Sequence, residues 1–366
     1  MKSNSLVRFF SYFLKSKYRW KIESGADILI LDGKVLEKIL PALADRSYSV
    51  LQNVDTIYLR FLIQASFKYS IFGYKRILLE YHLQIINFVK PKLLLTFTDS
   101  SPLYWEIDKR IHKKINFLTI QNAQHFIGDT DLVEEEYMHM IFQQKPFYSN
   151  LACISKFDLD YYLSKGVKVL NHFFIGSLKL GSYYHSYSNN SIKKIFDLCI
   201  VSNTRNDKTA NLKVWELVRE FVSKHNVTII FALKGDSQES NSPILKIFEN
   251  TKLIYAKRTE FSSHIVSDYS EVTIGFSSSL LRQTFARGNK IYPLNFASKI
   301  FSPPYNLLGL NLSPSYDEFE RTLLNLIKID RNKYIESNKD LMNYFDTRDC
   351  NQSAYDKLKK AIDSFF

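Results

Sequence analysis

Cysteine is scarce in this 366-residue chain, and the three present, Cys153, Cys199 and Cys350, are far apart and odd in number. They argue against a disulfide framework or a cysteine-ligated zinc site and fit a reducing, cytoplasmic setting. No apolar run reaches the roughly 18 residues that span a bilayer, and no cleavable signal with a small-residue site is apparent. Two phosphate-binding patterns are missing, GxxxxGK followed by Ser or Thr and GxGxxG after a strand, which disfavours an ATPase or a hydride-transfer domain. Neither a GxSxG elbow nor HExxH occurs, which sets aside an elbow-type serine hydrolase and a zinc protease of that pattern. No glycine follows Gly309, and no short internal repeat is visible.

What is present is a hydrophobic share of 45% with 15% aromatic residues, enough to build real cores. The length exceeds what one core usually serves, so two domains of about 150 to 180 residues are expected. A net charge of +12 and an isoelectric point near 9.3 point to an anionic partner. The cations are spread without a long run, in a chain rich throughout in Lys, Asn, Ile, Phe and Tyr. The stretch from Leu6 to Lys21, LVRFFSYFLKSKYRWK, mixes aromatic and basic residues; it reads as a helix that lies on an anionic inner-leaflet surface or packs on its own domain.

Strand and helix signals alternate along the chain. Apolar runs at Asp27–Leu31, Lys92–Thr98, Asn116–Ile120, Leu151–Ser155 and His172–Ile175 read as strands, separated by helical spacing at 34–43, 56–70, 74–89, 103–112, 132–143 and 156–165. Gly181 to Ser191, GSYYHSYSNNS, lacks apolar periodicity and reads as a linker. The alternation then restarts with strands at 197–201, 227–233, 252–256, 272–274 and 290–294, and the tail from 317 onward is helical. This is the pattern of parallel α/β domains. The expected division is 1–180, a linker at 181–191, a second domain at 192–345 and a final helix within 346–366 that packs back on the first domain.

The chain is organised around EVTIGFSSSLLRQTFARGNKIYPLN, Glu271 to Asn295. A buried strand exits at Gly275, and Ser277, Ser278 and Ser279 stand where a helix begins, so hydroxyls and free amides converge at a positive helix end suited to an anion. Gly288 is placed to close that helix. In open parallel sheets the ligand crevice lies at the carboxyl ends of the strands. There the sequence puts Asp99 and Ser100 in the first half, then Gln121, Asn122 and His125. The second half puts Ser202, Arg205, Lys234 and Arg258 at the same edge. Asp99 reads as a candidate nucleophile or base, and His125 as a proton carrier. Two DxD pairs, Asp129–Asp131 and Asp158–Asp160, fall in a helix cap and a helix, and read as chance matches to a metal-binding motif.

The segments LLLTFTDSS (93–101), FLTIQNAQH (117–125), FIGSLKL (174–180) and TIGFSSSLLRQTFARGNKI (273–291) resemble strand-end motifs of GT-B glycosyltransferases that build bacterial surface carbohydrates. Relatives of the Kdo and sialic-acid transferases, which use CMP-sugars, belong to that group. The resemblance implies two doubly wound Rossmann-like domains facing a cleft, with a nucleotide sugar held by the second and a glycan or glycolipid acceptor held by the first. It implies a donor nucleotide held at Ser277, Ser278 and Ser279, with Gln283 where the family carries a glutamate; the strand-end placement adds Ser202, Arg205, Lys234 and Arg258 as donor contacts, and Ser100, Gln121 and Asn122 as acceptor or sugar contacts. No cofactor or metal is expected, because the serines, the helix end and Lys234 or Arg258 would stabilise the departing phosphate. Two departures stand out: Gln283 replaces the family's usual glutamate, and Gln121-Asn122-Ala123 replaces QNG. The expected work is transfer of an acidic sugar such as Kdo to capsule or lipopolysaccharide at the cytoplasmic face of the inner membrane, with no nucleic acid partner. A non-catalytic glycan- or nucleic-acid-binding protein and a sugar-nucleotide epimerase are the alternatives on the same fold.

Overall fold

The computed structural model describes residues 16–22, 24–32, 36–43, 46–51, 56–68, 74–122, 142–178, 180–181, 183, 193–202, 208–233, 247–248, 261–275, 278–296, 305–346 and 353–366. In the first half the strands are β1 (Lys17–Arg19), β2 (Ile28–Ile30), β3 (Tyr48–Val50), β4 (Thr56–Tyr58), β5 (Leu93–Thr96), β6 (Asn116–Ile120), β7 (Phe147–Cys153) and β8 (Lys168–Phe174). The helices among them are α1 (Leu36–Leu43), α2 (Leu59–Lys68), α3 (Tyr74–Val89), α4 (Pro102–Ile111) and α5 (Lys156–Ser164). The second half adds β9 (Phe196–Ser202), α6 (Lys208–Lys224), β10 (Ile229–Leu233), α7 (Ser262–Asp268), β11 (Ser270–Gly275), α8 (Ser279–Ala286) and β12 (Lys290–Pro293). Three helices finish the chain: α9 (Tyr316–Lys328), α10 (Arg331–Phe345) and α11 (Ala354–Asp363).

Six strands form one sheet in the order β3-β2-β5-β6-β7-β8, every neighbouring pair parallel. Four form a second, β10-β9-β11-β12, also wholly parallel. A parallel sheet must be covered on both faces, and the strand side chains divide accordingly. Leu29, Leu94 and Phe117 pack with α2, α3 and α4 on one face of the first sheet, while Ile28, Ile30, Leu93 and Leu95 pack with α1 and α11 on the other. The second sheet sends Leu198, Ile200, Phe231 and Val272 toward α6, α9 and α10, and Cys199, Val201 and Ile230 toward α7 and α8.

The last helix returns to the first domain, as its sequence predicts. Ser353 and Asp356 cap its start reciprocally, Leu358 and Ile362 enter the first sheet's core, and Asp363 pairs with Arg46 at 2.9 Å. The expectation for the N-terminal segment fails locally. Lys17–Arg19, read as the end of a helix, pairs with Thr56–Tyr58 in a separate two-stranded parallel ribbon, and α2 starts only at Leu59. Three-residue strands are too short to carry a period, so the apolar spacing of α2 extends over β4 when the sequence alone is read.

Candidate functional site

Each sheet reverses its winding once. In the first the switch lies between β2 and β5, and in the second between β9 and β11. Gly275 ends β11 beside β9 because a side chain does not fit: a Cβ there would meet the Val201 carbonyl oxygen at 2.9 Å and the Val201 Cβ at 3.0 Å. From this tight pairing the chain passes into α8. Ser278 is its N-cap, accepting from the Leu280 amide at 3.3 Å, and Ser279 is exposed at the first helical position. The far end is closed as expected: Gly288 has φ 78°, its amide donates to Phe285, and the Asn289 amide donates to Thr284. Those two bonds satisfy two of the carbonyls a helix end leaves open.

Gln283, on the next turn of α8, is buried, and its Oε1 accepts from His264 Nε2 at 2.8 Å, which makes the imidazole the donor. His264 lies between Tyr183 and Phe261, with ring centroids 5.3 and 5.8 Å away. Phe261 holds φ 60°, a left-handed backbone that costs a bulky residue energy and that a surrounding structure must enforce.

On the opposing edge, Asp99 follows β5 and is 2% exposed. Its carboxylate accepts from the Tyr162 hydroxyl at 3.0 Å, and its carbonyl accepts from Trp105 Nε1 at 2.8 Å and from the Tyr148 hydroxyl at 2.5 Å. Burial, and then the nearby Asp99 charge, push both tyrosine hydroxyls well above their ordinary range, so they remain donors. Ser100 is half-buried and Asn122 exposed. Gln121 is buried and fully used: its Nε2 donates to Asp158 at 2.9 Å and its Oε1 accepts from the Ile154 amide at 2.9 Å. Ser202 closes β9 at the carboxyl end of the second sheet. His125, Arg205, Lys234, Arg258 and Ser277 lie outside the described residues.

The two edges are joined by a group that the sequence reading did not single out. Arg282, four residues after the Ser278 cap, is wholly buried, and its guanidinium crosses to the first domain. Nη1 donates to Asp158 Oδ1 at 3.1 Å, and Nη2 donates to Asp158 Oδ2 at 2.5 Å and to Ser155 Oγ at 2.8 Å. Its Nε and Nη2 also donate to the carbonyl of Phe345, which ends α10. Burial alone would lower the guanidinium's proton affinity, and the Asp158 carboxylate overrides it and keeps the group charged. Next to this pair the Ser177 amide donates to Asp346 at 3.0 Å, and burial pushes the Asp346 carboxyl up to about 6. Both acids of the Asp158–Asp160 pair are engaged by side chains, Asp160 with Lys156 at 2.8 Å. Among the described residues no group of three His, Cys, Asp or Glu side chains is arranged to hold a metal ion.

The described candidates therefore fall into two sets, Asp99, Ser100, Gln121 and Asn122 on one sheet edge and Ser202, Ser278, Ser279 and Gln283 on the other, with the Arg282 bridge between the domains. No protein-family model matches the sequence, and no curated protein sequence matches it. Solved structures do. An S. aureus MnaA–UDP complex superposes with a TM-score of 0.54 at 11% identity, over 88% of this chain and 93% of that one. The UDP-N-acetylglucosamine 2-epimerase of Rickettsia bellii gives 0.54 at 12% identity, over 92% and 94%. A UDP-glucose:anthocyanidin 3-O-glucosyltransferase in complex with UDP gives 0.51 at 9% identity, over 94% and 99%. The architecture is accordingly that of two Rossmann-like domains of GT-B type, the fold shared by these epimerases and glycosyltransferases.

Proposed function

We propose that the protein is a glycosyltransferase that binds a nucleoside diphosphate sugar at the start of α8 and presents it to an acceptor glycan held by the first domain. The observation that carries this reading is the placement of α8: its capped N-terminus opens at the switch point between β9 and β11, where Gly275 lets the backbone approach closely. Positive helix ends stabilise a developing phosphate charge without reorganisation. Ser277, Ser278, Ser279 and Ser202 would supply hydroxyls, and Arg205, Lys234 and Arg258 cations. The Gln283 amide nitrogen, its oxygen being taken by His264, would reach the nucleoside. This leaves a divalent metal dispensable, so nucleotide binding should survive treatment with a chelator.

The reading assigns Asp99 to positioning, since its buried carboxylate is held by Tyr162 and its carbonyl by two further aromatic side chains. Proton transfer from the acceptor then belongs to His125, with Ser100 and Asn122 on the acceptor side. The domain division remains the one read from the sequence, 1–180 and 192–345. The sequence resemblance implies a CMP-sugar and a surface glycan acceptor. Neighbours whose structures hold UDP make uridine diphosphate the first nucleotide to test.

A second reading, 2-epimerisation of a UDP-sugar, is supported by the same fold in the Rickettsia bellii epimerase, which superposes over 92% of this chain. Two measurements separate the outcomes. Thermal shift against UDP, CMP, GDP and ADP tests the pocket, because a ligand of the folded state raises the melting temperature. Product analysis of a UDP-sugar without acceptor then distinguishes epimerisation from transfer. No shift with any nucleotide would remove both enzymatic readings and leave a glycan-binding protein.

A further inference from the structure

Among the described residues the first domain carries an unusual corner. Tyr18 and Trp20, on and just after β1, are 44% and 57% exposed, and Ile63 and Phe67 on α2 are 43% and 89% exposed. Ile63 and Phe67 are four residues apart, so they share a helix face, and Arg60 precedes them by three and seven. Arg60 lies over the ring of the partly exposed Phe88 at 5.6 Å, which brings the end of α3 into the same patch. The β1 register sets Arg19 opposite Tyr58, immediately before α2, so the ribbon and the helix are contiguous. Lys17, Arg19, Lys21 and Arg60 are all exposed, and neither 16–22 nor 59–68 contains a carboxylate.

We propose that this corner docks on an anionic lipid bilayer. Trp20, Tyr18, Ile63 and Phe67 would enter the headgroup boundary, where amphipathic aromatic rings are most favourably placed. The four cations would meet lipid phosphates, their stems lying along the apolar patch. The exposed cations Lys17, Arg19, Lys21 and Arg60 beside these exposed apolar side chains select this occupant over a second copy of the chain. A two-fold contact would set the same cations against one another. The corner differs from the sequence expectation for residues 6–21: half of it comes from α2, and the basic segment 17–19 is a strand. It stands apart from the nucleotide reading, since vesicle binding by a protein that fails to bind nucleotides would leave it intact.

The test is co-sedimentation of the full chain with vesicles of equal parts phosphatidylglycerol and phosphatidylcholine, against vesicles of phosphatidylcholine alone. Binding is expected only to the anionic vesicles and should weaken as salt is added. Ile63→Ser with Phe67→Ser should lower the partition coefficient about tenfold. Arg19→Glu with Arg60→Glu should lower it by about tenfold or more. All four positions are exposed, so unchanged melting temperatures will certify folding. The proposal is overturned by absence of binding at low salt, by both variants binding like wild type, or by a solution dimer that the serine variant dissolves while vesicles do not compete with it.

Discussion

Arg282 and Asp158 show what a single residue pair does here and why it escapes a sequence reading. They are 124 positions apart, and each sits in a helix whose spacing explains it without a partner. Asp158 even mimics half of a DxD motif. Only the fold brings the fork of the guanidinium onto both carboxylate oxygens with Ser155 and Phe345 completing the shell. A buried charge stripped of its partner is costly, so Arg282→Met should lose about 3–5 kcal/mol in chemical denaturation, whereas Arg282→Met combined with Asp158→Leu should recover most of it. Arg282→Lys should rescue poorly because an ammonium cannot reproduce the fork. Asp346 adds a pH signature. Its folded-state value of about 6 lies above the ordinary 3.8, so its stabilising protonation is fully present below 3.8 and lost as pH rises through about 6. Wild type should therefore gain about 1 kcal/mol over Asp346→Asn on going from about pH 7 to about pH 5, read as melting-temperature differences between the two.

At the scale of elements, the sequence is most legible where the sheet is most buried. LLLT, NFLTI and DLCIV are nearly continuous apolar runs because both faces of a parallel sheet are covered, and each is a strand within a residue or two of its expected bounds. The serine-to-glycine unit around α8 was readable for a similar reason: cap, helix and left-handed close are local chemistry. What was not readable is whatever depends on a neighbour, such as the β1–β4 ribbon or the His264 partner of Gln283. Gly275 illustrates the difference. The sequence suggests a turn residue, but the structure gives it a spacing role, since the nearest atoms to a new Cβ belong to the Val201 backbone and Cβ and cannot swing away. Gly275→Ala should therefore cost about 1–3 kcal/mol by forcing β9 and β11 apart. If the phosphate site is at that switch point, calorimetry should show weaker UDP binding at a temperature where the variant is still folded.

The molecule as a whole is two parallel sheets, and the described residues tie them together at several places. Arg282 links α8 to α5 at the interface, and α11 crosses back to bury Leu358 and Ile362 beside the first sheet. Phe157 of α5 packs in the second domain's core against Phe345, so apolar burial spans the boundary as well. Two domains sharing this much buried contact should unfold together, and calorimetry of wild type should show one transition. If the proposed nucleotide site near α8 is occupied, a ligand at a hundredfold excess over its dissociation constant would stabilise the folded state by about 2.7 kcal/mol, and in a cooperative molecule that gain would move the single transition. With Arg282→Met the charge tie is cut while α11 still spans the domains. Removing residues 347–366 as well should split the melt into two transitions, and UDP should then raise only the one belonging to the second domain. If UDP still moves both, or if the doubly cut protein melts as one unit, neither the Arg282 tie nor α11 couples the domains, and the remaining contacts, the Phe157–Phe345 core and the Ser177–Asp346 bond among them, carry the coupling.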